Sequence, residues 1–191
     1  MNAYLNIICE DTDNSFWRSE ITGRLAKQVI DDNKKDKELW SKENLVEKLK
    51  KASTTMQTMI ARTDHKNKFL TSRYIFYPLH DEVKFHWSLL VLDTNACKIH
   101  HYNSLWIDQN EQLARTAATL IEWYTIACCG NEIGGIEYIK ELTVRQQDDG
   151  YSCAVFVCLW AECLIKEIMD TSVDIYLKRA QMTLTVLRHK Y

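Results

Sequence analysis

Apolar residues recur near helical spacing from Phe16 to about Lys68: Phe16, Trp17, Ile21, Leu25, Val29 and Ile30, then Leu39, Trp40, Leu45, Val46, Leu49, Met56 and Met59. The break at Asp31 to Lys37, seven consecutive polar residues, predicts an exposed loop between two helices, because no such run can join a core. At Ser72 the period changes. Arg73 to Tyr77 is β-branched and aromatic and predicts a strand that stops at Pro78. His86 to Leu92 predicts a second strand, bounded by Asp93-Thr94-Asn95-Ala96, with Cys97 to Asn103 as its return. Glu111 to Ala127 is again helical, with Cys128 and Cys129 closing the helix before Gly130, and Leu142 to Arg145 is short and strand-like. Cys153 to Met169 is apolar nearly all the way round, which predicts a helix buried inside its domain, and Asp174 to about Arg188 is a last helix. Helices, then a small sheet, then a central buried helix late in the chain predict an α+β architecture.

Length and composition narrow this picture. A chain of 191 residues holds one domain with a hydrophobic core and is too short for two ordinary ones. Its 46% hydrophobic and 26% charged residues predict a folded chain rather than a disordered one. Lys and Arg total 24 against 26 Asp and Glu, so the electrostatic footprint of a dedicated nucleic-acid binder is absent. The first residues carry no basic segment or signal-like apolar run, and the longest apolar run, Ala154 to Ala161, is far below the roughly 20 residues of a membrane helix. Seven cysteines, an odd number with no C-x-x-C pair, predict reduced thiols in an intracellular compartment, the cytoplasm or nucleus.

Two groups of residues could do chemistry. If Thr94-Asn95 is a two-residue hairpin loop, with Asn95 adopting the positive φ, His86 lies directly opposite Asn103. Opposed residues have Cβ atoms about 4.5 to 5.5 Å apart, so the Asn oxygen can reach an imidazole N–H and fix its tautomer. An ordinary edge histidine near a turn fits the same count. The second group is Gln146-Gln147-Asp148-Asp149-Gly150-Tyr151-Ser152-Cys153. Ser152 is a suitable N-cap, which puts Cys153 in the first helical turn, where free backbone N–H groups and the helix dipole favour a thiolate. Gly150 is expected to allow a tight approach to that helix, and Gln147, six residues before the cysteine, can loop back to donate to a developing oxyanion. Cys153 as a small buried cysteine fits equally well; for Cys158 and Cys163 that plainer reading is preferred.

His86-Trp87-Ser88-Leu89-Leu90-Val91, Tyr102-Asn103-Ser104-Leu105, Gln146-Gln147 and Tyr151-Ser152-Cys153-Ala154-Val155-Phe156-Val157 resemble, in order and spacing, the motif blocks of the ubiquitin-like protein proteases. These are papain-like cysteine peptidases of clan CE that process and remove SUMO, NEDD8 and, in several bacterial effectors, ubiquitin. The resemblance spans about half the chain, from Arg73 to Cys163. It implies a papain-like fold and an isopeptidase that cleaves after a Gly-Gly tail. Cys153 would be the nucleophile, His86 the base, Asn103 its orienter, and Gln147 with the Cys153 N–H the oxyanion donors. Trp87 would cover a tunnel that admits only glycine. The implied partner is a ubiquitin-like modifier and its conjugates; no cofactor, metal, nucleic acid or membrane span is implied, and the chain is expected to act as a monomer. Residues 1–70 would form a helical substrate- or partner-binding part of a single domain whose catalytic core is 71–191.

The pattern departs from the family at two places. The triad acid, usually Asp, is Asn103, which papain-type Cys-His-Asn sets tolerate. The usual Asp-Cys-Gly is Ser152-Cys153-Ala154. Beyond these two, the amino-terminal substrate-binding Trp-Leu-Asn-Asp type motif of the SUMO-directed members is also not visible. Asp93 is no substitute acid, since it lies seven residues and about 20 Å along the strand from His86. His100-His101 beside Cys97 lacks zinc spacing. The basic stretch of Lys48, Lys50, Lys51, Arg62, Lys66 and Lys68 reads as a solvated face, or as a surface for an acidic partner. Effector acetyltransferases that resemble the same fold and use acetyl-CoA and an inositol phosphate are the first alternative, and a modifier-binding module without turnover is the second.

Overall fold

The computed structural model describes residues 1–10, 12, 15–17, 23–35, 40–52, 70–105, 108–129, 135–168 and 170–189. In chain order the elements are α1 (Asn2–Glu10), β1 (Ser15–Trp17), α2 (Gly23–Lys35), α3 (Lys42–Ala52), β2 (Tyr74–Asp81), β3 (His86–Asp93), β4 (Lys98–Tyr102), α4 (Asp108–Cys129), β5 (Glu137–Lys140), α5 (Cys153–Ile165) and α6 (Ile175–His189). The strands form one sheet in the order β1-β2-β3-β4-β5. β2, β3 and β4 are an antiparallel meander, flanked by β1 parallel to β2 and β5 parallel to β4.

Strand residues alternate between two cores, as a period of two requires. Ile75, Tyr77, Leu79, Leu90, Leu92 and Ile99 pack with α2 and α4, whereas Phe76, Leu89, Val91 and Tyr102 pack with α1, α5 and α6. The sheet is therefore covered on both faces, consistent with the expected α+β class. α5 buries Val155 through Ala161 without interruption, because the sheet lies on one side of it and α1 and α6 on the other. Its charged residue, Glu162, is satisfied by Tyr4 Oη at 2.6 Å, by Lys166 and by the buried Lys178. These bonds outweigh burial and hold the Glu162 carboxyl down at about 2. No helix among the described residues is long and apolar enough to cross a membrane.

Several boundaries differ from the sequence expectation for identifiable reasons. Phe16 and Trp17, expected on a helix, form β1 against Ile75 and Phe76; a three-residue strand is too short to display a period. Residues 31–35, expected in a loop, are the last turns of α2. There Lys27 and Lys34 pair with Asp31 at 2.8 and 3.5 Å, and Asp32 and Asn33 accept hydrogen bonds from the Trp40 indole and backbone N–H groups. β2 continues through Pro78 to Asp81: its pairing with β1 ends at Phe76 among the described residues, so no β1 ladder bond there calls on the missing N–H. The strand expected at Leu142 to Arg145 is instead Glu137–Lys140, because β4 ends at Tyr102 and offers no ladder further along. α5 stops at Ile165 rather than Met169. Glu167 takes φ 55°, and the N–H groups of Glu167 and Ile168 close on the carbonyls of Leu164 and Cys163 in a Schellman motif. α1 was not anticipated, and the helical pattern expected from 53 to 68 lies outside the described residues. Among the described glycines, Gly23 is sterically required: a Cβ there would sit 1.7 Å from the His80 carbonyl oxygen, so α2 can approach β2 only through glycine.

Candidate active site

The β3–β4 hairpin supplies the first half of the site. Its register, Asp93↔Lys98 through Leu89↔Tyr102, is displaced by two residues from the count that put His86 opposite Asn103. The turn is Thr94 to Cys97, with the positive φ at Cys97 (52°) rather than at Asn95. Asp93 Oδ1 accepts the N–H groups of Asn95 and Ala96, which moves the turn centre one residue on. An even displacement keeps both residues on the same face, so His86 and Asn103 meet on the diagonal instead of directly. His86 Nε2 lies 2.7 Å from Asn103 Oδ1 in a buried contact.

Which ring nitrogen carries the proton follows from the neighbours. The Leu105 backbone N–H donates to the same Asn103 oxygen at 3.0 Å, which fixes that atom as the carbonyl end of the amide. An acceptor there requires Nε2 to be the N–H, which leaves Nδ1 with its lone pair in the neutral ring. Burial disfavours the imidazolium and pulls His86 below its ordinary value of 6.5, against the Asn103 hydrogen bond and the charge of Asp81, its cross-strand partner. The other end of the Asn103 amide, Nδ2, is buried and has no hydrogen-bond partner among the described residues.

The second half is irregular. After β5 the Glu141 N–H still bonds the His101 carbonyl, and the chain then runs to α5 without ladder bonds among the described residues. Side-chain bonds and one backbone bond hold it instead. Gln146 Nε2 donates to the Asn103 carbonyl at 3.1 Å, the Gln147 N–H donates to the Ser104 carbonyl at 2.9 Å, and Ser104 Oγ donates to Gln147 Oε1 at 2.6 Å. Gln147 Nε2 in turn donates to the Asp149 carbonyl at 2.6 Å. Asp149 gathers the start of α5: Oδ1 accepts the Tyr151 and Ser152 N–H groups, and Oδ2 accepts the Ser152 hydroxyl. Despite partial desolvation, these hydrogen bonds and the Arg179 charge hold its carboxyl below the usual range. Arg179 reaches from α6 to Ser152 Oγ at 3.1 Å.

Two local expectations are thereby corrected. Ser152 occupies the N-cap position, but its hydroxyl turns back to Asp149 and makes no capping bond to the helix. Gly150 allows no tight approach, since a Cβ there would meet nothing within 4 Å. Cys153 is the first residue of α5 and is buried; its N–H, at that position, has no partner within the helix. Cys158 and Cys163 lie deeper in α5, and burial raises both thiols, Cys158 to about 12.

The remaining residues singled out in the sequence fall elsewhere. Trp87 is half-buried on the face of β3 opposite His86, packs against the α5 core and stacks on His80 with ring centroids 4.4 Å apart. His100 bonds Glu141, and His101 bonds Tyr138 Oη from a fully buried position. Lys48, Lys50 and Lys51 lie in α3, with the Lys48 ammonium 4.7 Å from the Trp40 ring centroid; Arg62, Lys66 and Lys68 are outside the described residues. Ser104 and Asp149 stand in blocks quoted from the sequence with no role assigned to them, and Arg179 was not picked out. The one available signal was the doubled Gln146-Gln147, whose side chains bond the Asn103 and Asp149 carbonyls.

The family model described as Ulp1 protease family, C-terminal catalytic domain, matches residues 10–187. The chain belongs to the Ulp1 protease family. Within the Ulp1 family, it is 27% identical over 138 residues to NEDD8-specific protease 1 of Schizosaccharomyces pombe, covering 64% of this chain and 30% of that protein. The chain thus spans about a third of that relative's length. The Ulp1 fold is also found in solved structures. The C-terminal Ulp1 protease domain in complex with Smt3, the yeast ortholog of SUMO, aligns at TM-score 0.57 and 18% identity, over 94% of this chain and 68% of that one. The SUMO protease Ulp1 with its catalytic cysteine oxidized to a sulfonic acid aligns at TM-score 0.57 and 14% identity, over 98% of this chain and 75% of that one. At these identities the structural likeness speaks for the fold alone.

Proposed function

We propose that the protein is a cysteine peptidase that cleaves after the carboxy-terminal Gly-Gly of a ubiquitin-like modifier and releases it from target lysines. The observation that carries this reading is the buried His86–Asn103 contact, which leaves Nδ1 as a base on the same chain that starts a buried helix with Cys153. Cys153 gives its proton to His86 Nδ1 and attacks the carbonyl carbon of the terminal glycine. The Cys153 N–H and Gln147 Nε2 hold the oxyanion of the tetrahedral intermediate. Nδ1–H then protonates the departing lysine amine, and the same nitrogen activates the water that hydrolyses the thioester. Trp87 lines the passage for the two glycines.

Asn103 orients the imidazole without adding a negative charge, so His86 remains a neutral base at pH 7, in keeping with its lowered pKa. The sequence relative is NEDD8-specific and the structural neighbours are SUMO proteases, so NEDD8 and SUMO head the test, with ubiquitin beside them. The match to a protease family favours hydrolysis over acetyl transfer. The test is turnover of carboxy-terminal coumarin amides of NEDD8, SUMO and ubiquitin. Hydrolysis of one of them, abolished in Cys153→Ala, is expected. A folded protein that hydrolyses none of the three contradicts the proposal.

A further inference from the structure

The two halves of the site are 43 residues apart in sequence, and Ser104 joins them. It directly follows Asn103, is fully buried, and makes two bonds to one residue: its carbonyl accepts the Gln147 N–H at 2.9 Å and its hydroxyl donates to Gln147 Oε1 at 2.6 Å. A glutamine side-chain amide has an acceptor end and a donor end of nearly equal size, and rotation by half a turn exchanges them at little steric cost. An oxyanion is stabilised by the donor end and repelled by the acceptor end. The Asp149 carbonyl, which can only accept, takes Nε2 and so sets the orientation of the amide in the turn that leads into Cys153, while Ser104 Oγ–H holds Oε1 at the other end. Nε2 carries two hydrogens, one of which Asp149 takes.

We infer that Ser104 is a positioning residue for the proposed reaction: its hydroxyl anchors the Gln147 amide so that the second Nε2 hydrogen is held ready for the oxyanion. The inference rests on the peptidase reading and deepens it. Without the hydroxyl, the amide keeps its bond to the Asp149 carbonyl but loses its second anchor, so the donor is held less firmly where negative charge develops and the transition state suffers while substrate binding does not.

The experiment uses the whole chain and whichever modifier coumarin amide the wild type hydrolyses. Ser104→Ala is expected to lower kcat about 10-fold, short of the ~10²- to 10³-fold expected for losing an oxyanion donor, with KM within about twofold. Ser104→Thr, which keeps the hydroxyl, is expected to retain activity within about threefold. Alkylation of Cys153 by iodoacetamide forms no oxyanion, so its rate is expected to stay within about twofold in Ser104→Ala. On a Gln147→Ala background, adding Ser104→Ala is expected to change kcat by less than about twofold. Should Ser104→Ala lower the urea midpoint, Ser104→Cys, close in volume with a weaker donor, carries the same readouts. Unchanged kcat in Ser104→Ala, a parallel fall in alkylation, or an equal loss on the Gln147→Ala background overturns the inference while leaving the peptidase reading intact. A wild type that hydrolyses no modifier overturns both.

Discussion

The hairpin half of the site and the loop half are built by different means. In the β3–β4 hairpin, His86 and Asn103 are placed by strand register, and their neighbours Ser88, Leu90, Leu92 and Ile99 would keep the backbone there whatever stood at either position. In the stretch from Glu141 to Ser152, Gln147 and the start of α5 are placed by side-chain bonds from Ser104, Gln146, Asp149 and Arg179. The consequence is an asymmetry in robustness: a substitution in the hairpin alters chemistry and leaves geometry in place, whereas one at a side chain that holds the loop alters both.

The strongest way to break this comparison is Gln147→Ala. It removes a proposed oxyanion donor and is expected to lower kcat about 10²- to 10³-fold, read by initial rates on the modifier coumarin amide. Asp149→Ala comes next. It removes the acceptor for two backbone N–H groups and the Ser152 hydroxyl ahead of α5, a hydrogen-bond loss of about 1 kcal/mol that a lower urea midpoint should report, together with a fall in kcat. Asn103→Asp sharpens the hairpin side. A carboxylate facing Nε2 favours the imidazolium, so the His86 pKa is expected to rise by about 1 unit or more, read by NMR titration in a Cys153→Ala background, with the midpoint of urea unfolding little changed at pH 7. Gly150→Ala is the smallest effect: with open space at that position, stability is expected to move by less than about 0.5 kcal/mol.

A pH prediction separates the two buried histidines of the hairpin. Burial pulls His101 down to about 3, so below 6.5 the unfolded chain binds a proton that the native state refuses. Stability is expected to fall as pH drops from 6.5, at up to about 1.4 kcal/mol per pH unit from this one group, measured as the urea-derived free energy. His86 adds to the same acid-side loss, and protonation of Glu162 adds a further loss below about 4.5. His101→Gln should flatten the profile between pH 6.5 and 5 without moving the acid limb of activity proposed to be set by His86.

The same contrast explains what could be read from sequence. The hairpin was legible since strands alternate with a fixed period and a count of residues brings His86 to Asn103. The count missed the register by two because the Asp93 side chain, invisible to periodicity, centres the turn one residue later, and the even slip preserved the pairing. Cys153 was legible from the switch into the apolar run of α5. Ser104, Asp149 and Arg179 were not, since each acts through a partner that folding brings close, with no local pattern to announce it. The short β1 and β5 were missed for a related reason: three- and four-residue strands exist because β2 and β4 offer open sides, not through their own periodicity.

The central claim, that Cys153 is the nucleophile served by His86, is tested most directly by intact-mass analysis with carboxy-terminal electrophilic probes of NEDD8, SUMO and ubiquitin on wild type, Cys153→Ala and Cys158→Ala. The account predicts one covalent adduct with at least one probe, present in wild type and Cys158→Ala and absent in Cys153→Ala. An adduct that persists in Cys153→Ala, or no adduct with any probe on the folded wild type, would contradict it.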